Sequence, residues 1–499
     1  MLFNSFEFVL IFLPAAFAGF FWIARYSHRL AALWLAAASL SFYGWWNPKL
    51  VLLLLCSIAF NYAMGYAIGH ARRTATDKRL LVAAVAANLA CLGYFKYTNF
   101  FISSVNTAVG TDWGLATIAL PLGISFFTFT QIAFLVDVYR RLAREYDFIH
   151  YILFVAYFPH LIAGPVLHHK QMMPQFALAA TYRPSAQNVA IGLLMFAIGL
   201  AKKTLLADSF AGYATPIFNA ANQGAAMGVV AAWTGALAYT LQIYFDFSGY
   251  SDMAIGLSRL FGIGIPLNFN SPYKAYNIIE FWRRWHMTLS IFLRDYLYIS
   301  LGGNRQGTLR RYFNLMITML LGGLWHGANW TFFVWGGLHG VYLVVNHAWH
   351  AVRRRAGFPL AVPSLSGQLA GTALTFLAIV VAWVFFRADT FASAMRMLQG
   401  MAAFGEPAHF FSDTGAAMSS ALAHVSGVPR HSVNYFFGLF GAGLAISWLV
   451  PNSQTLVARV RLDNSTAQFM LIGSLLFWIL VLVTFSASRG VSEFIYYNF

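Results

Sequence analysis

The sequence predicts an all-α polytopic membrane protein, and three observations carry that prediction. Of the 499 residues 59% are hydrophobic and only 10% charged, against about 25% charged in soluble proteins. About a dozen stretches free of Asp, Glu, Lys and Arg approach or exceed the roughly 20 residues that cross a bilayer as a helix. The 32 Lys and Arg against 16 Asp and Glu, a formal +16, gather largely in short clusters between those stretches. A mean hydropathy of +0.63 agrees. This composition excludes disorder, collagen, a coiled coil and a disulfide scaffold. The basic excess reads as Lys and Arg retained in cytoplasmic loops, so no nucleic-acid partner is expected. Cys56 and Cys91 are the two cysteines, both in apolar runs, and are expected to be buried thiols.

The chain opens with Glu7 and no basic residue ahead of its first apolar stretch, so it lacks the charged n-region of a signal peptide. Ala16-Phe17-Ala18 imitates a cleavage site, but the apolar stretch runs on to Arg25, and no cleavage is expected. Spans are expected near 8–24, 30–48, 50–69, 80–95, 113–136, 148–167, 184–201, 226–245, 312–345, 366–386, 433–450 and 466–486, about ten to twelve helices in all. The stretch 312–345 is too long for one crossing and carries six glycines, which predicts a bend or two elements.

Arg25 and Arg29, then Arg72 to Arg79, then Arg140 to Arg144 alternate with nearly uncharged connections near 49 and 97–112. With the N-terminus on the periplasmic side, these clusters all fall in the cytoplasm. Residues 253–311 mix basic and aromatic side chains and predict an amphipathic or re-entrant stretch at the cytoplasmic interface. The most polar stretch, 388–432, predicts a loop with one short helix near 391–403. A single membrane domain over 1–499 is expected, with its unusual residues concentrated at about 242–347.

An ionisable residue inside an apolar run is costly and therefore a functional candidate. His326 stands out in Leu320-Leu-Gly-Gly-Leu-Trp-His-Gly327, with no Asp, Glu, Lys or Arg from Tyr312 to Val352. A core histidine bonded to a carbonyl is the competing reading. His339 lies 13 residues on. At roughly 100° per residue the two would face nearly opposite ways on one straight helix, so they share a site only if the helix breaks between them. His286 ends Glu280-Phe-Trp-Arg-Arg-Trp-His, where Glu280 can pair with Arg283 or Arg284. Those arginines, with Arg294 and Arg305, read either as interfacial anchors or as a site for a phosphate-bearing donor. Asp246 and Asp252 are six residues apart, about 240° around a helix, which favours separate structural hydrogen bonds over a catalytic pair. His168-His169 is too weak a signal for a metal.

Taken in order, several segments resemble the membrane-bound O-acyltransferase family, and within it the alginate O-acetyltransferase branch. They are Gly93-Tyr-Phe-Lys-Tyr97, Leu120-Pro-Leu-Gly-Ile-Ser-Phe126, Phe158-Pro-His-Leu-Ile-Ala-Gly-Pro165, Tyr244-Phe-Asp-Phe-Ser-Gly-Tyr250, Phe281-Trp-Arg-Arg-Trp-His286, Leu293-Arg-Asp-Tyr-Leu-Tyr298 and Gly322-Gly-Leu-Trp-His326-Gly. The likeness covers most of the chain and is weakest over 388–499. It implies re-entrant or interfacial helices around a central catalytic tunnel, where a cytoplasmic acyl thioester, expected to be acetyl-CoA, meets an acceptor hydroxyl. His326 matches the family's principal catalytic histidine and His286 its second; His339 matches a histidine of the branch without a firm role. The resemblance further implies the bacterial inner membrane, an exopolysaccharide such as alginate as final acceptor, and a periplasmic partner of serine-esterase-like fold. No permanently bound cofactor and no metal are expected.

The chain shows no G-x-S-x-G, Walker A, G-x-G-x-x-G or H-E-x-x-H motif, so covalent serine chemistry, nucleotide hydrolysis and a zinc protease have no support. A secondary transporter or flippase is the rival class on composition alone. That class predicts ionisable residues spread through two related halves, whereas these are concentrated between 242 and 340.

Overall fold

The computed structural model describes residues 1–70, 75–116, 118–143, 147–162, 164–357, 364–403, 433–460 and 464–495, and no strand occurs among them. In chain order the main helices are α1 (Glu7–Ala24), α2 (His28–Gly44), α3 (Pro48–His70), α4 (Thr76–Val109), α5 (Ile124–Tyr139) and α6 (Phe148–Ala156). Then come α7 (Ala186–Asn222), α8 (Val229–Leu260), the short α9 (Ile278–Trp282) and α10 (Met287–Phe292), α11 (Gly307–His326) and α12 (Trp330–Arg355). The chain continues through α13 (Leu365–Arg387), α14 (Phe391–Ala402), α15 (Val433–Trp448), α16 (Ser453–Ala458) and α17 (Ser465–Ser488). Among the described residues six helices, α1, α3, α4, α7, α13 and α17, are long and apolar enough to cross a membrane, with shorter apolar helices beside them.

Several expectations change in detail. Residues 97–112, read as a connection, are helical as far as Val109: a π-helical turn at Gly93–Tyr97 carries α4 onward until Gly110 closes it at φ +72°. The expected span 148–167 stops as a helix at Ala156, because Tyr157 turns out of helical geometry and Pro159 and Pro165 cannot donate the next backbone bonds. Cys56 is exposed and Cys91 half-buried, correcting the expectation of buried thiols: an apolar run on a lipid-facing helix does not have to be covered by protein. The helix expected at 391–403 is α14, and the remainder of that stretch from 404 to 432 lies outside the described residues.

The described residues form two compact units. The first comprises Met1–Ala201, Gly249–Leu267 and Ser453–Phe499. In it α1 packs on α2, α5 on α3 and α4, and α17 on the opening half of α7. Buried polar groups are paired across these helices: Asn61 and Asn88 exchange amide hydrogen bonds at 3.1 and 2.6 Å. Asp252 accepts from the Ser453 hydroxyl at 2.6 Å and the Gln454 amide at 3.1 Å. His169 faces the Asp137 carboxylate at 3.2 Å and the Leu142 carbonyl at 3.3 Å.

The second unit comprises Lys202–Ser248 and Asn268–Asn452. Its centre is the hairpin of α11 and α12, the expected break in 312–345. The helix ends at His326, Gly327 is extended, and the Asn329 side chain caps α12 by accepting from the Thr331 N–H. The two helices meet at Gly323 and Gly336, where backbone approaches backbone without side chains between. A Cβ on Gly323 would overlap the Phe332 carbonyl, and one on Gly336 the Met319 carbonyl, whereas one on Gly337 would make ordinary contact with Leu320 at 3.4 Å. Gly323→Ala and Gly336→Ala are therefore expected to lower the melting temperature of the detergent-solubilised protein by several degrees or abolish monodisperse expression. Gly337→Ala should match the parent in fluorescence-detected size exclusion and thermal melting; equal loss in all three would refute the crossing.

Candidate active site

The break after α11 places His326 as the last residue of that helix, at its carbonyl end. His326 is 2% exposed, and His286 and His339 are wholly buried. The break also answers the angular objection raised from sequence. The rings of His326 and His339 both lie against one indole, Trp335, at centroid distances of 5.0 and 4.8 Å. Phe386 closes over His326 at 5.2 Å, while Phe281, Trp282 and Trp383 enclose His339 at 6.0, 5.1 and 6.3 Å. Neither ring nitrogen of His339, nor the Trp335 N–H, has a hydrogen-bond partner among the described residues. Buried polar atoms ordinarily have one, so this pocket is built to hold further polar groups.

His286 arrives from a different element. The polar Asn277 starts α9 by accepting from the Glu280 N–H, the helix ends after one turn and a half, and His286 adopts a left-handed conformation (φ 42°, ψ 53°) before α10 begins. Left-handed backbone is uncommon for a residue with a Cβ and marks a place the surroundings enforce. Ser271, also left-handed at φ 45°, lies in the segment paired with it. That pairing runs from Asn270 N–H to the Arg284 carbonyl at 2.9 Å to Met287 N–H on the Asn268 carbonyl at 2.9 Å. The His286 ring stands 6.3 Å from that of His326, close enough for one hydroxyl to reach both. Trp325 at 6.2 Å and the edge of Phe247 at 4.8 Å complete a low-dielectric wall. Burial alone pushes the His286 imidazole down to about 3, so it is neutral at physiological pH.

Phe247 is delivered by α8, which is anchored one residue earlier. Asp246 accepts from Lys203 Nζ at 2.8 Å, and the same ammonium reaches Asp208 at 2.9 Å, with Lys203 and Asp246 both almost fully buried. The two aspartates considered as a pair in the sequence thus hold separate structural bonds, as their spacing predicted.

Beyond Asn270 the second unit opens into a cleft of about 710 Å³. Arg283, Arg311, Arg354, His347 and His350 line it together with the Glu280–Arg284 pair, in which Arg284 Nη2 and Nε both donate to Glu280 Oε1, at 2.6 and 3.0 Å. One carboxylate, already paired, faces four guanidinium groups, so the cleft suits an anion. Arg294 is instead paired to Asp295 at 2.6 Å, and neither it nor Arg305 lines this cleft. Arg354, His347 and His350 escaped the sequence reading, and Arg311 entered it only as the end of the interfacial stretch 253–311. They sit on two helices 36 or more residues apart, and only the hairpin brings them opposite Arg283. Asn268 was missed as well, being one polar residue in an unremarkable loop. Among the described residues no group of three or more His, Cys, Asp or Glu could hold a metal ion.

Comparison with known proteins supplies the context. Residues 41–387 match the sequence pattern of the membrane-bound O-acyltransferase family. The chain is 40% identical to a peptidoglycan O-acetyltransferase of Helicobacter pylori, covering 100% of this chain and 98% of that one. It is 45% identical over 81% of its length to a Pseudomonas aeruginosa protein named "Probable alginate O-acetylase", 75% of which is covered. A teichoic acid D-alanyltransferase of Streptococcus thermophilus is 26% identical over 53% of this chain and 68% of its own.

Proposed function

The chain belongs to the membrane-bound O-acyltransferase family and is a multi-pass membrane acyltransferase, and from that premise we propose that it carries acetyl groups from a cytoplasmic thioester to an extracytoplasmic polysaccharide. The observation that carries this reading is the meeting of His326 and His286 from separate elements at 6.3 Å inside a dry aromatic wall. A thioester is already activated, so the work left to the protein is to make a hydroxyl nucleophilic and stabilise the oxyanion. In this reading the acceptor oxygen attacks the thioester carbonyl and its proton passes to neutral His326, where the end of α11 favours the imidazolium. The new C–O bond forms, the C–S bond breaks, and the departing thiolate is reprotonated to the thiol. His286 holds the acceptor or the acyl group in place.

Acetyl-CoA is the proposed donor, and the basic cleft supports it: guanidinium groups match phosphate geometry, and along the chain Asn270 at the cleft is two residues from Asn268 beside His286, roughly 7 Å. The family match decides against the transporter class weighed from composition. Alginate remains the proposed polymer by its relatives. Peptidoglycan is the second reading, favoured by the likeness that spans both chains end to end. The inner membrane with a periplasmic N-terminus is the proposed setting.

Three outcomes test this. His326→Ala should insert normally yet lower acetyl-CoA consumption by about 100-fold or more, the usual loss on removing a general base; retention of a tenth of parental turnover would remove His326 from that role. Arg311→Glu and Arg354→Glu should raise the donor KM by about tenfold with kcat little changed, and a change confined to protein yield would make them anchors. Finally, the longest polar stretch, 388–432, is too small for a polymer-binding domain, so a periplasmic serine-esterase-like partner is proposed. Purified chain, acetyl-CoA and polymer should yield acetylated polymer only when that partner is added; full acetylation without it defeats the partner.

A further inference from the structure

The hydrogen bonds around Asn268 fix which nitrogen of His286 carries a proton. The Asn268 Oδ1 position lies 3.3 Å from the Thr288 backbone N–H and 2.9 Å from the Thr288 hydroxyl. A backbone N–H can only donate, so the atom it meets is the amide oxygen and the Asn268 side chain cannot be reversed. His286 Nδ1 approaches the same oxygen at 3.1 Å. An oxygen accepts and does not donate, so Nδ1 bears the hydrogen and Nε2 bears the lone pair. The Asn268 carbonyl meanwhile receives the Met287 N–H at 2.9 Å, so one residue both orients the ring and holds the left-handed turn that carries it.

We infer that Asn268 is a positioning residue that locks His286 as the Nδ1–H tautomer, so that Nε2 accepts a hydrogen bond from an acceptor hydroxyl and offers no N–H to the oxyanion. The inference rests on the acetyl-transfer reading above and narrows the part His286 plays in it. The transferred proton still goes to His326; His286 orients the acceptor by receiving its O–H. The groups packed on His286 are Phe247 from α8, Phe269 from the loop after it, and Trp325 and His326 from α11. Among these described residues His326 is the titratable group. Asp246, next to Phe247, is committed to Lys203.

Asn268→Asp tests the assignment, because a carboxylate can accept all three bonds and caps a helix start as well as asparagine does. It also places a negative charge beside Nδ1, which favours the imidazolium and thereby removes the Nε2 lone pair. The pH below which the acceptor KM rises in acid should move up by at least about one unit, while the donor KM stays put across the range. An unmoved profile at full activity would overturn the proposal and reduce Asn268 to a helix cap. Independently of turnover, ¹⁵N-histidine labelling of the protein in nanodiscs, with the His286 signal identified by its loss in His286→Gln, should show a protonated Nδ1 and a bare Nε2. The Nε2–H form would overturn the proposal. A parent protein that consumes no acetyl-CoA would refute the acetyl-transfer reading, while the NMR result would still decide the tautomer.

Discussion

In a chain this apolar a buried polar group has no water to fall back on, and the need to pair each one governs the rest of the architecture. The Lys203 ammonium would be prohibitive alone and is held by two carboxylates, which in turn fixes α8 and the Phe247 it presents. Asn268 satisfies three donors from the turn at His286 and so makes a left-handed histidine tenable. Replacing either group by an apolar one would strand its partners, at a cost of a few kcal/mol each. The site extends the same pairing that holds the helices, and within it the ring nitrogens of His339 and Trp335 have no partner among the described residues.

Such a site suits acyl transfer from an activated donor. A dry aromatic enclosure keeps imidazole neutral, which is the form that takes a proton, and it excludes the water that would hydrolyse a thioester. In the proposed reaction the carbonyl end of α11 would stabilise charge developing on His326. On the proposed reading, basic groups on the polar ends of α11 and α12, away from this enclosure, would hold a highly charged donor outside the reacting centre.

The helical membrane character, the break within 312–345 and both histidines were legible in the sequence, because charge depletion and glycine clustering are local signals. His326 was singled out as an ionisable residue in an apolar run, whereas His286 sat among arginines and took its place from the family likeness. What stayed hidden depends on folding in three dimensions. Asn268 matters only because residues 268–270 lie along 284–287, a pairing no periodicity announces. Arg311 and Arg354 join Arg283 only through the hairpin. The fate of 148–167 was misjudged because apolarity was read as a crossing, when prolines inside that run permit burial but not a continuous helix. The cysteines misled for a related reason: apolar neighbours report a nonaqueous environment, and in lipid that is no guarantee of protein cover.

The short segment from Asn268 to Asn270 links two tasks usually kept apart in enzymes, since one end orients His286 and the other borders the cleft. An insertion, deletion or proline anywhere in those three residues would disturb the histidine turn together with the border of the cleft, whereas Arg311 and Arg354, on α11 and α12, can change without touching that turn.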